Sequence, residues 1–204
     1  METDMSDEIL IQARTYYNEA KGIIEKLAEL AKKKNEKFKF SISMKQFDYI
    51  LQLSLIHAAV LDKNFDEVEI EFIKDITEYG SVVAFFNFKM KDIVEDFPEL
   101  TWENFPAVIK KFSENARKNF LNQMYDFLDG LAEDFVKWFA PIDAEDKKTD
   151  YLAEINKRFE QIINILTSRN GKPAELVADE VAAAGNLKRN LLLTRWEKAV
   201  ADNS

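Results

Sequence analysis

The spacing of chain-breaking residues constrains the fold of this sequence more than any other feature. Its 204 residues include only five glycines and four prolines. A β-sheet protein needs such residues at short intervals to turn between strands, whereas long helices need few of them. Between the breaks, apolar residues recur every three to four positions, which is the helical period. We therefore predict an all-α helical bundle of about seven to nine helices.

The predicted helices follow one another with short connections. The first covers about the first 30 residues and ends on Lys32–Lys34. A short connector over 38–42 follows, and its alternating apolar and polar residues are typical of an extended segment. The next helix begins at Ser43, which forms a capping box with Gln46 three positions later. Over Phe47–Leu61 this helix is apolar on nearly every side, which predicts that it lies at the centre of the bundle. Further helices are predicted over about residues 66–79, 81–97, 106–139, 144–168 and 187–200.

Two interruptions divide these helices. Pro141 is expected to stop the longest helix, because proline cannot donate the hydrogen bond of a helix interior. Asn170–Pro173 is the clearest linker. We therefore predict a bundle domain over residues 1–170 and a helical extension over 171–204 that docks on it. A detachable arm for a partner is the alternative, since the last predicted helix is cationic and amphipathic, with Lys188, Arg189, Arg195 and Lys198 beside apolar residues.

The charge and composition of the chain exclude several classes of function. The formal net charge is −9, so an acidic surface repels nucleic acid and we predict no nucleic-acid partner. The chain contains no cysteine, which excludes disulfides, thiol catalysis and cysteine metal sites. The longest apolar stretch, Tyr49–Leu61, is too short to span a membrane. The start is acidic and lacks the pattern of a signal peptide, so we predict a cytoplasmic protein.

One candidate functional motif, Asp62–Glu69, lies at the junction of two predicted helices. Asp62 ends a buried helix, where the helix dipole disfavours a negative charge by about 0.3–1 kcal/mol. Asp66 and Glu69 begin the next helix, and a tight turn would bring Asp62 and Glu69 near each other. Such a site attracts a cation, either a side chain or a metal ion. A capping box formed by Asp66 and Glu69 is the alternative that needs no ligand.

The pattern Ala59-x-x-Asp62-x-x-Phe65-Asp66-x-x-Glu69 resembles that of the TerB-like family of tellurite-resistance and related bacterial domains. The resemblance covers about residues 43–79, and Lys63 stands where the family usually has glycine. It implies a helical bundle with pseudo-repeated halves and a function in stress response. A second loop between predicted helices shares the spacing of its two acidic residues, Asp143 and Asp150, although Asp146 replaces the hydrophobic residue. A chance match is the alternative for this second loop.

The available ligands restrict the metal that such a site would bind. Because the chain has one histidine and no cysteine, the available ligands are carboxylate and amide oxygens, which favour Ca²⁺, Mg²⁺ or Mn²⁺. The spacing imitates the start of an EF-hand, but Glu67 replaces the required glycine and Ile73 replaces the last ligand. The single histidine, His57, is expected to be a core residue.

Three classes of function therefore remain open. The first is a non-catalytic acidic module, TerB-like, that binds a divalent cation or a protein partner, including a second copy of itself. The second is a metal-dependent hydrolase using Asp62, Asp66 and Glu69. The third is a structural or assembly protein without a site. We favour the first, because no nucleophile or base can be named.

Overall fold

A computed structural model describes residues 7–60, 67–78, 83, 100–145, 150–167 and 194–202 of the chain. In these residues every regular element is helical, which confirms the all-α fold. Seven helices are described, at the lower end of the predicted number. They are α1 (Asp7–Lys34), α2 (Phe40–Val60), α3 (Glu67–Ile76), α4 (Phe105–Lys111), α5 (Glu114–Glu145), α6 (Tyr151–Thr167) and α7 (Thr194–Asp202). No described helix is long and apolar enough to cross a membrane.

Helix α2 lies at the centre of the bundle, as its sequence predicts. Side chains at seven consecutive positions, Ile50–Ile56, are all buried, so this helix has no solvent-facing side along that stretch. It packs against α1, α3, α5 and α6. Helix α1 packs along α6 and buries a stripe at helical spacing that includes Ala13, Tyr17, Ala20, Ile24, Leu27 and Ala31.

The start of α2 differs from the prediction. The proposed extended connector over 38–42 and the helix start at Ser43 are both wrong, because α2 begins at Phe40 and Ser43 is buried inside its first turns. The side chain of Phe38 packs against Trp138 and Phe139 of α5, with ring centroids 5.3 and 5.7 Å away. The alternation of apolar and polar residues over 38–42 is therefore not that of a strand. It arises because Phe38 is anchored in the core just before α2 begins.

The predicted helix over 106–139 is two helices, and its predicted end at Pro141 is wrong. The break comes at Phe112, which is extended, and Ser113, whose hydroxyl accepts the Ala116 backbone N–H at 3.1 Å and so caps α5. Helix α5 then runs through Pro141 to Glu145. Proline removes one backbone hydrogen bond there, but burial of the neighbouring residues on α5, Phe139, Ala140 and Ile142, holds the helix against the core. Helix α6 accordingly begins at 151, and the predicted start near 144 is wrong.

A buried polar network fixes the C-terminal end of α3 to α1 and α2. The carboxylate of Asp48 is fully buried and accepts the Tyr17 hydroxyl at 2.8 Å and the Glu78 backbone N–H at 3.1 Å. The side-chain amide of Gln52 donates to the Thr77 hydroxyl at 2.8 Å. Burial raises the pKa of the Tyr17 phenol most, and the charge of the Asp48 carboxylate raises it further. The Tyr17 hydroxyl therefore keeps its proton and donates it to Asp48. The position of α3 is thus set by polar contacts as well as by its apolar face.

Candidate functional site: an acidic groove beside helix α3

Of the three carboxylates in the predicted metal motif, the structure places only Glu69. Its side chain lies in the first turn of α3 and has no solvent exposure. Asp62 and Asp66 lie outside the described residues, as do the linker at Asn170–Pro173 and, apart from the buried Val83, the predicted helix over 81–97. Among the described side chains, no three acidic or histidine groups come together in a way that would hold a metal ion. The metal site at Asp62, Asp66 and Glu69 stays a prediction.

The second predicted pair, Asp143 and Asp150, meets at the start of α6. A carboxylate oxygen of Asp143 accepts the Tyr151 backbone N–H at 3.2 Å. A carboxylate oxygen of Asp150 accepts the Ala153 backbone N–H at 2.9 Å, as an N-cap does. Backbone N–H groups at a helix start need acceptors and favour negative charge. Both carboxylates therefore have a structural role that needs no metal ion.

The outer face of α3 borders an open groove of about 200 Å³, here called the α3 groove. Its lining residues come from one side of α3 and from the turn before α4: Glu67, Ile70, Glu71, Lys74, Trp102 and Glu103. Glu67, Glu71 and Lys74 are exposed, whereas Ile70 is buried and forms an apolar base. Spacing of three and four residues puts these side chains on one face of the helix.

The turn that carries Trp102 and Glu103 is held by reciprocal hydrogen bonds. The Thr101 backbone N–H donates to the Asn104 side-chain oxygen at 2.8 Å, and the Asn104 backbone N–H donates to the Thr101 hydroxyl at 3.2 Å. The half-buried Trp102 ring meets Phe105 edge to face, with centroids 6.3 Å apart. Phe105 is itself fully buried at the start of α4. The wall of the groove opposite α3 is therefore anchored to the core.

The groove is negatively charged. A hydrogen bond from its own backbone N–H, another from the Thr101 hydroxyl, and the nearby charge of Lys74 lower the pKa of Glu103. With Glu67 and Glu71, three carboxylates line the groove against one ammonium group, that of Lys74. An aromatic ring beside carboxylates is a combination that attracts an organic cation, since a cation is stabilised by the ring face as well as by the charges.

The sequence alone did not indicate this groove. Glu67 and Glu71 precede Trp102 and Glu103 by about thirty residues, so only the folded chain brings them together. The only sequence features that point toward it are the glutamates Glu67 and Glu71, four residues apart, and the adjacent pair Trp102 and Glu103. Neither signal distinguishes a binding groove from an ordinary solvated surface.

Comparisons with known proteins return no relative: no protein-family model, no curated protein and no solved structure matches the chain. Arguments about function therefore depend on the residues themselves.

Proposed function

We propose that the protein is a non-catalytic, TerB-like helical module that binds a protein partner, and that the α3 groove receives a positively charged side chain of that partner. The observation that carries the proposal is that Glu67, Glu71, Glu103 and Trp102 line one groove. With the TerB-like resemblance, we place this function in the stress response of the cytoplasm.

The dimensions of the groove favour one side chain over a free small molecule. Its volume of about 200 Å³ is below the roughly 300–1,000 Å³ of typical small-molecule sites. It also lies open along α3, so a longer chain can extend beyond it. Arginine fits this site best, because its planar guanidinium pairs with carboxylates and stacks on aromatic rings.

The chemistry of the lining favours binding over catalysis. The described lining holds no serine, cysteine or histidine, which are the usual nucleophiles and bases. The net charge of −9 adds a long-range attraction for a basic partner, which speeds association at low salt.

A labelled arginine–alanine peptide tests this proposal by fluorescence anisotropy. We expect saturable binding, and we expect Glu71→Gln and Glu103→Gln each to raise the Kd about two- to fivefold, as for the loss of one exposed charge pair. Binding weakens with added salt, and a glutamate–alanine peptide of the same length does not bind.

The matched control is Glu25→Gln, which removes the same charge from an exposed site on α1. If this variant raises the Kd as much as the two groove variants, the peptide responds only to net charge and the proposed site is wrong.

We propose a divalent cation as a second candidate ligand, because Asp62, Asp66 and Glu69 supply the oxygen ligands that Ca²⁺, Mg²⁺ and Mn²⁺ prefer. A hydrolase at this site would require the same metal. The metal proposal and the groove proposal use different side chains, so one can fail without the other.

Thermal unfolding in the presence of each metal tests the second candidate. At a hundredfold excess over its Kd, a metal bound only by the folded protein raises the Tm by about 5–10 °C for a chain of this size. We expect this rise in the wild type and in Glu71→Gln, and expect it to vanish in Asp62→Ala and Glu69→Gln. A rise of equal size in all four proteins, or none in any, contradicts the metal site.

A further inference from the structure

Lysines are concentrated at the connection between α1 and α2. Five of the chain's 28 basic residues lie within the eight positions 32–39, against one acidic residue, Glu36. All five are exposed: Lys32, Lys33, Lys34, Lys37 and Lys39. This segment, here called the basic turn, is positively charged in a chain whose formal net charge is −9. The charge of the protein is therefore unevenly distributed.

Stabilisation of the fold explains only part of this concentration of charge. Lys32–Lys34 occupy the last turn of α1, where the helix dipole favours a positive charge. Lys37 and Lys39 lie beyond the end of that helix, so its dipole does not account for them. Lys34 pairs with Glu145 at the end of α5, whereas the other four lysines form no ion pair with any residue that the structure describes.

The backbone of the basic turn is held in place by hydrogen bonds and by one core residue. The Asn35 side-chain oxygen accepts the Lys37 backbone N–H at 3.0 Å, and the Asn35 carbonyl accepts the Phe38 backbone N–H at 3.0 Å. Phe38 is 6% exposed and packs against Trp138 and Phe139 of α5. The lysines on either side of Phe38 therefore project from a fixed corner of the bundle.

Aromatic rings that remain partly exposed border these lysines. Trp138 contacts Phe38, and Phe40 directly follows Lys39; both rings are only half-buried. An exposed lysine, Lys137, precedes Trp138. Lysines beside partly exposed aromatic rings are typical of segments at a membrane surface, where the charges meet the lipid headgroups and the rings lie in the interfacial layer.

We propose that the basic turn binds the surface of an anionic lipid bilayer. Clusters of basic residues of this size bind such surfaces through the negative potential of the headgroups. A turn between two helices presents its side chains at one end of the pair, so the five lysines approach a plane together. Lipids diffuse within a bilayer and gather under exposed lysines, so this binding needs no shaped pocket. The proposal uses no residue that lines the α3 groove, so either can fail alone.

The net charge of −9 does not prevent this binding. Charges more than about 8–10 Å from the bilayer are largely screened at physiological salt, so the lysines nearest the lipid dominate. Because exposed charges carry the interaction, added salt weakens it.

Co-sedimentation of the full-length protein with lipid vesicles tests the proposal. The vesicles contain phosphatidylcholine alone or a two-to-one mixture of phosphatidylcholine and phosphatidylserine. We expect the protein to sediment with the mixed vesicles and not with the neutral ones. Lys33→Gln and Lys37→Gln each lower the partition coefficient about three- to fivefold, as for the loss of one lysine near an anionic surface. The double variant lowers it about ten- to twentyfold, because the two charges act nearly independently.

The matched control is Lys118→Gln, which removes the same charge from an exposed position near the start of α5. Lys118 precedes Trp138 by about twenty residues on one helix, a distance of roughly 30 Å. This separation exceeds the screening length, so we expect the partition coefficient to stay unchanged. Glu71→Gln also leaves it unchanged, which separates the basic turn from the α3 groove.

Three results each overturn the proposal. The first is equal sedimentation with neutral and mixed vesicles, or sedimentation with neither. The second is an equal loss for Lys118→Gln and the two variants of the basic turn, which reduces the effect to general charge. The third is binding of polyglutamate or a single-stranded oligonucleotide through Lys33 and Lys37 when the mixed vesicles do not bind. In that case the basic turn recognises an acidic protein or a nucleic acid, and no lipid surface.

Discussion

Replacing Phe47 with alanine lowers the free energy of unfolding by about 3–5 kcal/mol, the range for removing a large aromatic side chain from a core. Phe47 lies on the central helix α2 and is 1% exposed. Its ring centroid is 6.0 Å from that of Tyr17 on α1 and 5.8 Å from that of Phe159 on α6. The substitution therefore leaves a cavity where three helices meet, and these neighbours cannot all move in to fill it. Urea denaturation followed by circular dichroism measures the change.

Two further variants calibrate this result. Phe47→Leu retains most of the volume and lowers the free energy of unfolding by about 1–2 kcal/mol. Ile11→Ala, at a position on α1 that is 62% exposed, changes it by less than about 0.5 kcal/mol. If Phe47→Ala were no more destabilising than Ile11→Ala, then the described core around α2 would be wrong.

Replacing Asp48 with alanine lowers the free energy of unfolding by about 2–4 kcal/mol, because it leaves one buried donor and one part-buried donor without their acceptor. These donors are the Tyr17 hydroxyl and the Glu78 backbone N–H. The carboxylate has no solvent exposure, so water does not readily replace it. The loss falls on the end of α3, which these hydrogen bonds attach to α1 and α2.

The same denaturation measurement separates the two donors. Tyr17→Phe removes only the hydroxyl and lowers the free energy of unfolding by about 1–2 kcal/mol, less than Asp48→Ala. Asp134→Ala, at an exposed position on α5, serves as the control and has an effect within about 0.5 kcal/mol. An Asp48→Ala protein as stable as this control would contradict the network.

Long apolar periods predicted the helices that form the centre of the fold. Helix α1 has a regular three-to-four spacing over its whole length, and the apolar run from Phe47 predicted the central, fully buried part of α2. Errors occurred where a tertiary contact decided the outcome. Phe38 packs on α5, and α2 begins two residues later. Helix α5 continues through Pro141, a residue that usually ends a helix, because its neighbours Phe139, Ala140 and Ile142 are buried in the core.

The candidate site was less predictable than the fold for a related reason. Short-range sequence patterns led to helix α3 through Glu69, and the metal site expected there with Asp62 and Asp66 stays a prediction. The α3 groove depends on Trp102 and Glu103, which are distant in sequence and carry no local pattern that relates them to α3. The amphipathic pattern of α7 was recognisable because charged and apolar residues repeat within one helix.

The indole N–H signal of Trp102, measured by NMR during titration with the arginine–alanine peptide, tests partner binding at the α3 groove most directly. Trp102 lines the groove, whereas Trp138 packs against Phe38 and is not among the groove's lining residues. We predict that the Trp102 signal shifts and saturates with the same Kd as the anisotropy measurement. In Glu71→Gln and Glu103→Gln, the midpoints of both titrations lie at higher peptide concentration. A Trp102 signal that stays in place while the peptide binds, with shifts only at Trp138 or Trp196, would contradict the account.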